Sequence, residues 1–163
     1  MNNQEVLHRQ LLSLLEGTWT GEGRGKYPTV QSFDYRETLT FTRQTEKSLS
    51  YEQRTQKRHA GQTAYLPSHG EHGFIQILET GEVELTNTQA GGRSEVLVGT
   101  VEIFSNLMRV HFSSKILTND PRMIASARTF ELEDDTLRYE MSMHTTKVDH
   151  LTPHLKITLQ RVS

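Results

Sequence analysis

The sequence contains no cysteine. That absence excludes a disulfide scaffold, a thiolate nucleophile, Cys-ligated zinc and an iron–sulfur cluster together. Charge of one sign is also missing. Eighteen Lys+Arg face 20 Asp+Glu, a formal net charge of -2, so no bulk field draws the chain to nucleic acid or to an anionic membrane. No stretch approaches the ~20 apolar residues that span a bilayer. The start, Met1-Asn2-Asn3-Gln4-Glu5, has none of the basic residues of a secretory signal, and polar residues interrupt the leucines after it. These absences predict a soluble, cytoplasmic protein with no nucleic-acid or membrane partner.

What is present is polar but evenly mixed. Hydrophobic residues make up 34% of the 163 positions and the mean hydropathy is -0.61. The apolar residues are spread along the chain, and with so little net charge this is not the composition of a disordered polymer. The length corresponds to about one domain, 1–163.

Leu7, Leu11, Leu14 and Leu15 recur at helical spacing, and Gly17 stands where a helix would stop. Beyond this the period becomes two: Phe33, Tyr35, Leu39 and Phe41 share a parity, as do Leu137, Tyr139, Met141 and Met143, and as do Leu155, Ile157 and Leu159. Shorter strand candidates lie between, separated by turn-like runs such as Glu79-Thr80-Gly81 and Thr118-Asn119-Asp120-Pro121. One N-terminal helix and about ten sequential strands predict an all-β, antiparallel up-and-down barrel, since closure removes exposed edges. Gln56–His72 reads as one long polar loop.

The densest local signal is Gly17-x-Trp19-x-Gly21-x-Gly23-x-Gly25-x-Tyr27-Pro28-Thr29. On a strand these glycines share a face, which admits close approach of another backbone or of a flat ligand. The spacing matches neither a Walker A loop nor a dinucleotide fingerprint. Gly17-x-Trp19 early in the first strand resembles ligand-binding barrels of the calycin type, and the resemblance implies that Trp19 plugs the barrel bottom with Arg161 from the last strand stacked on its indole.

Eight histidines are the other resource. Alternation groups His154 with Lys156 and Thr158, opposite Leu155, Ile157 and Leu159, which describes a solvent-facing residue. Barrels with polar interiors leave the choice of face open. His69-x-x-His72 with His150-x-x-x-His154 would supply a four-histidine zinc site. His8, His59, His111 and His144 read as surface residues. Arg122, Arg128 or Tyr139 would anchor a carboxylate if the barrel carried a fatty acid.

The glycine strand, Tyr51-x-Gln53-Arg54-Thr55, His69-Gly70-Glu71-x-Gly73-Phe74 and Pro153-His154-Leu155-Lys156-x-Thr158-Leu159 together resemble the nitrobindins. These are haem-binding barrels shaped like fatty-acid-binding proteins, and the likeness runs along nearly the whole chain. The resemblance implies one haem b per chain with His154 as axial ligand to the iron. It implies further pocket positions at Thr29, His69 and Met143, and a homodimer as the candidate assembly. It also implies nitric oxide binding and isomerisation of peroxynitrite to nitrate, chemistry that the cofactor would carry and no side chain would catalyse. Two positions depart from the family pattern: Ala90-Gly91-Gly92 replaces a Pro-Thr-Gly turn, and the stretch between Met143 and His154 is one residue longer.

Overall fold

The computed structural model describes residues 3–163; the first two residues of the Met1–Glu5 start lie outside them. A helix, α1 (Asn3–Leu15), leads into ten strands: β1 (Gly17–Tyr27), β2 (Val30–Thr45), β3 (Ser48–His59), β4 (Leu66–Ile77), β5 (Val83–Gln89), β6 (Ser94–Phe104), β7 (Leu107–Thr118), β8 (Met123–Glu133), β9 (Thr136–Thr145) and β10 (Val148–Arg161). Each strand pairs antiparallel with its sequence neighbours, and β1 closes the barrel on β10. This is the up-and-down barrel that the period-two pattern predicts. The long loop is shorter than expected. β3 continues to His59 and β4 begins at Leu66, so only residues 60–65 connect them. The strands run on because backbone pairing through Lys57↔Leu66 and Gln56↔Pro67 needs no apolar alternation.

The β1/β2, β3/β4, β5/β6, β7/β8 and β9/β10 turns all fall at one end of the barrel, the mouth. The other end is closed by α1, whose Leu11, Leu12 and Leu15 are buried. There Trp19 is fully buried, donates from Nε1 to the Leu15 carbonyl at 2.8 Å, and has the Arg161 guanidinium 4.2 Å above its ring. Arg161 also donates to the carbonyls of Leu14 and Glu16 at 2.5 Å. The plug is therefore a clasp between the helix end, the first strand and the last. Trp19→Phe, which removes the donor and part of the indole, is expected to cost about 1–2 kcal/mol in a urea titration.

The glycine face of β1 is used by the protein itself. A Cβ on Gly21 would lie 2.2 Å from the Thr158 carbonyl oxygen, and the space beside Gly25 is taken by the Phe33 ring. The missing side chains let β10 and Phe33 approach β1.

Candidate functional site

At the mouth lies a cavity of about 290 Å³. Its apolar wall includes Val30, Phe33, Met141, Met143 and Leu155, its floor Tyr35, Gln53, Glu71 and Tyr139, and His69 and His154 both line it. A second cleft of about 300 Å³ adjoins it, sharing Val30, Arg93 and Met143 and adding Thr29. Together they reach the size range of small-molecule sites, about 300–1,000 Å³.

His154 reaches this cavity through a fault in the ladder. Pro153 pairs with Ser142 and Leu155 with Met141, so His154 is an extra residue on β10, a β-bulge. A second shift lies between Val148 and Thr152. A bulge breaks the alternation and re-aims a side chain. His154 is thereby a cavity residue alongside Leu155, and the face given by simple alternation is corrected. Its Nδ1 lies 3.0 Å from the Lys26 carbonyl oxygen, so Nδ1–H donates there and Nε2 keeps its lone pair. A backbone carbonyl holding the second ring nitrogen is how metal-binding histidines are oriented. Tyr27 and Phe33 meet the ring edge-on, with centroids 5.6 and 6.3 Å away. Burial lowers the pKa of His154, which favours the neutral form that ligates metals.

The other expected positions divide. Met143 is buried and lines both the cavity and the cleft. His69 lines the cavity, its Nε2 3.3 Å from Glu71 Oε2. Thr29 is exposed in the β1/β2 turn and lines the adjoining cleft instead of the cavity. The Ala90-Gly91-Gly92 turn is closed by Gln89 N–H donating to the Arg93 carbonyl, with Gly92 at φ +91°. The zinc reading fails: His72 and His150 are exposed, and among the described residues no three His, Asp or Glu side chains converge on a metal position. His8, expected at the surface, is instead a buried residue of α1, and burial lowers its pKa.

Beneath the cavity lies a charged interior that periodicity does not advertise. Arg128 donates to both oxygens of Glu71, at 2.5 and 3.1 Å, and to Glu95 Oε2 at 2.8 Å. Tyr51 donates to Glu71 at 2.6 Å, and Ser126 and Asn87 donate to Glu95. All three charged side chains are no more than 2% exposed. The Arg128 guanidinium holds the Glu71 carboxyl far below its ordinary value despite its burial. Two carboxylates on one guanidinium neutralise Arg128, so it is not free to hold a fatty acid. Arg122 is exposed and paired with Asp120. The carrier alternative thereby loses both arginines that the sequence offered as its anchor. The missed signal was phase: Glu71 shares a parity with buried Ile75, Glu95 with Leu97, and Arg128 with Phe130 and Leu132.

Glu37 is a different case. It is buried, and neither oxygen has a hydrogen-bond partner. Burial pushes its pKa up to about 7, the nearby Gln53 amide and Arg128 easing this only in part and Glu71 adding to it. A carboxyl whose folded value lies above its unfolded 4.5 binds more protons folded than unfolded. Stability is then unpenalised below pH 4.5 and falls as pH rises from there to about 7. Glu37→Gln should therefore be more stable than the parent at pH 8, by about 3 kcal/mol, with the gap closing by pH 4.5 in parallel denaturant titrations.

The residues fit a haem. A neutral imidazole with a free Nε2 stands in an apolar wall, and Arg93 and Lys57 line the cavity as cations for carboxylate side groups. Comparison with known proteins agrees. The chain is 34% identical over 160 residues to peroxynitrite isomerase 1 of Mycolicibacterium paratuberculosis, covering 95% of this chain and 96% of that one. It is 34% identical over 151 residues to a peroxynitrite isomerase of Arabidopsis thaliana, covering 93% and 87%. The crystal structure of Rv2717c from M. tuberculosis superposes with a TM-score of 0.83 at 30% identity, covering 94% of this chain and 96% of that one. The nitrobindin resemblance is borne out. Residues 9–161 match the model of the THAP4-like, heme-binding beta-barrel domain, and the chain belongs to that family.

Proposed function

We propose that this chain, as one domain over 1–163, holds one haem b through His154 in the cytoplasm, binds nitric oxide and isomerises peroxynitrite to nitrate. The observation that carries this reading is the bulge at His154, which delivers an imidazole with an anchored Nδ1 and an open Nε2 to an apolar cavity. The relatives named above as peroxynitrite isomerases support the reaction. When bound, the haem supplies an iron centre with an open coordination position for a small nitrogen–oxygen ligand.

The chain's own residues do the rest. The Lys26 carbonyl fixes the His154 ring, and Tyr27 and Phe33 prevent it from turning. Met141, Met143 and Leu155 would exclude water from a bound macrocycle, the methionines adapting to its shape. Lys57, and Arg93 alongside its pairs with Glu95 and Asp120, would offer positive charge at the cavity to the cofactor's carboxylates and to an anionic substrate. His69, tied to Glu71, faces the same cavity, and Thr29 contributes a hydroxyl at the adjoining cleft.

The test is stopped-flow decay of peroxynitrite with nitrate and nitrite quantified afterwards. The hemin-loaded protein should speed the decay in proportion to its concentration and raise the nitrate yield. Decay no faster than with free hemin would remove the isomerase reading.

A further inference from the structure

The net charge of -2 conceals a division between the two ends of the barrel. Lys26, Lys57, Arg58, Lys115, Arg122 and Lys147 lie in or beside the turns at the mouth. Of the mouth carboxylates, Asp34 is engaged by Arg24 and Arg58, Asp120 by Arg122 and Arg93, and the exposed Asp149 meets only His150. Lys26, Lys115 and Lys147 make no ion pair among the described residues. At the closed end Glu46, Glu79, Glu82, Glu133, Asp134 and Asp135 lie in or beside the turns; Lys47 lies there too, and Arg9, Arg138 and Arg161 pair with Glu46, Glu133 and Asp135. Acids remain in excess at that end, opposite in sign to the mouth.

Large apolar side chains stand among the mouth cations. Val30, Leu66, Ile116, Ile124 and Leu151 are each 44% to 57% exposed. They come from five different strands, and each lies within a few residues of a mouth turn. Val30 also lines the cavity and its adjoining cleft, and Ile116 and Ile124 flank the same β7/β8 turn.

We propose that the mouth of the barrel docks onto an anionic lipid bilayer surface. Apolar knobs among flexible lysines suit a fluid interface, where each knob enters the headgroup region on its own and each lysine meets a lipid phosphate or carboxylate. A folded acidic protein fits less well, because its interface would need a continuous apolar centre and here the centre is the cavity opening. The acidic closed end faces away from the membrane, so the difference in sign also sets the orientation of approach. Among the described residues no helix is long and apolar enough to cross a membrane, and the contact is peripheral. The proposal stands independently of the function proposed above, and one consequence joins them: a docked mouth opens its cavity directly toward the bilayer, where an amphiphilic ligand partitions.

The experiment is vesicle flotation of the whole chain, with phosphatidylcholine vesicles compared with vesicles that also contain phosphatidylserine. Binding should require phosphatidylserine and weaken with salt. Lys115→Glu with Lys147→Glu should weaken it at least about tenfold, and so should Ile116→Asp with Ile124→Asp. Ile103→Asp with Phe104→Asp, at the closed-end β6/β7 turn, should leave it unchanged. Circular dichroism and melting confirm that each variant is folded. Absence of binding to the phosphatidylserine vesicles overturns the proposal, as does equal binding to phosphatidylcholine alone. It also fails if folded mouth variants bind like the parent, or if the mouth retains an acidic protein and no vesicle.

Discussion

His154→Ala loses saturable hemin binding. The parent apoprotein should develop a sharp Soret band that saturates at one equivalent, and the variant should show only the broad absorbance of loosely held hemin. The expected loss is at least about 100-fold in affinity, since disturbing only the outer partners of a metal ligand already costs 10–100-fold. Three features make the effect specific to the imidazole. The ring lies on a bulge and not in a regular ladder, so its removal leaves the flanking pairs Pro153↔Ser142 and Leu155↔Met141 intact. Its Nδ1 partner is a backbone carbonyl, which no side-chain replacement deletes. The alanine variant leaves a hole of imidazole shape between Tyr27 and Phe33, so added free imidazole should restore the Soret band. Unchanged saturation in the variant would mean that another residue holds the iron.

Arg128→Ala should unfold the barrel more readily than any surface change. Removing the guanidinium leaves Glu71 and Glu95 buried, charged and without their common cation. Breaking a buried pair in this way costs about 3–5 kcal/mol, to be read from the urea midpoint at pH 7. The sign of the pH dependence is fixed as well. In the parent, Glu71 titrates far below its unfolded 4.5, so its contribution is complete above that value and is lost as pH falls toward the folded value. In the variant the buried Glu71 carboxylate is a penalty that protonation relieves. The deficit should therefore narrow below about pH 4.5. Combining Arg128→Met with Glu71→Gln and Glu95→Gln should recover most of the loss, because the uncompensated charges are gone.

The barrel was legible in the sequence because alternation such as Phe33, Tyr35, Leu39 and Phe41 reports a half-buried antiparallel strand directly. Trp19 and Arg161 were legible as a pair through the likeness to calycin-type barrels. The candidate ligand was not. Parity sends His154 outward, and only the bulge, a feature of two strands and not of one, turns it back. The family resemblance pointed to His154 where periodicity pointed away. Glu37, Glu71, Glu95 and Arg128 escaped for another reason. Each sits in phase with apolar neighbours, but composition-based reading assigns charged residues to the surface, and the rule gives way where a guanidinium and two carboxylates neutralise one another. Glu37 breaks it with a carboxyl that burial raises to about 7, which makes its neutral form far easier to reach. Thr29 shows the limit of position matching, since a turn residue shares a neighbourhood with the cavity without lining it.

The closure of β1 on β10 has a consequence for how the chain becomes a barrel. Trp19 pairs with Arg161 and Gly21 with Leu159, contacts between the beginning and the end of the strand order. During synthesis β1 emerges early and waits with its outer edge open until β10 has left the ribosome. Every other neighbour pair is a local hairpin that forms without delay, whereas this last seam carries the full loop-closure entropy of the chain. The seam is therefore the slow step of assembly. Until it forms, the Trp19 indole lacks its Arg161 cover, and the increase in its burial provides a natural optical clock for the moment the cylinder closes.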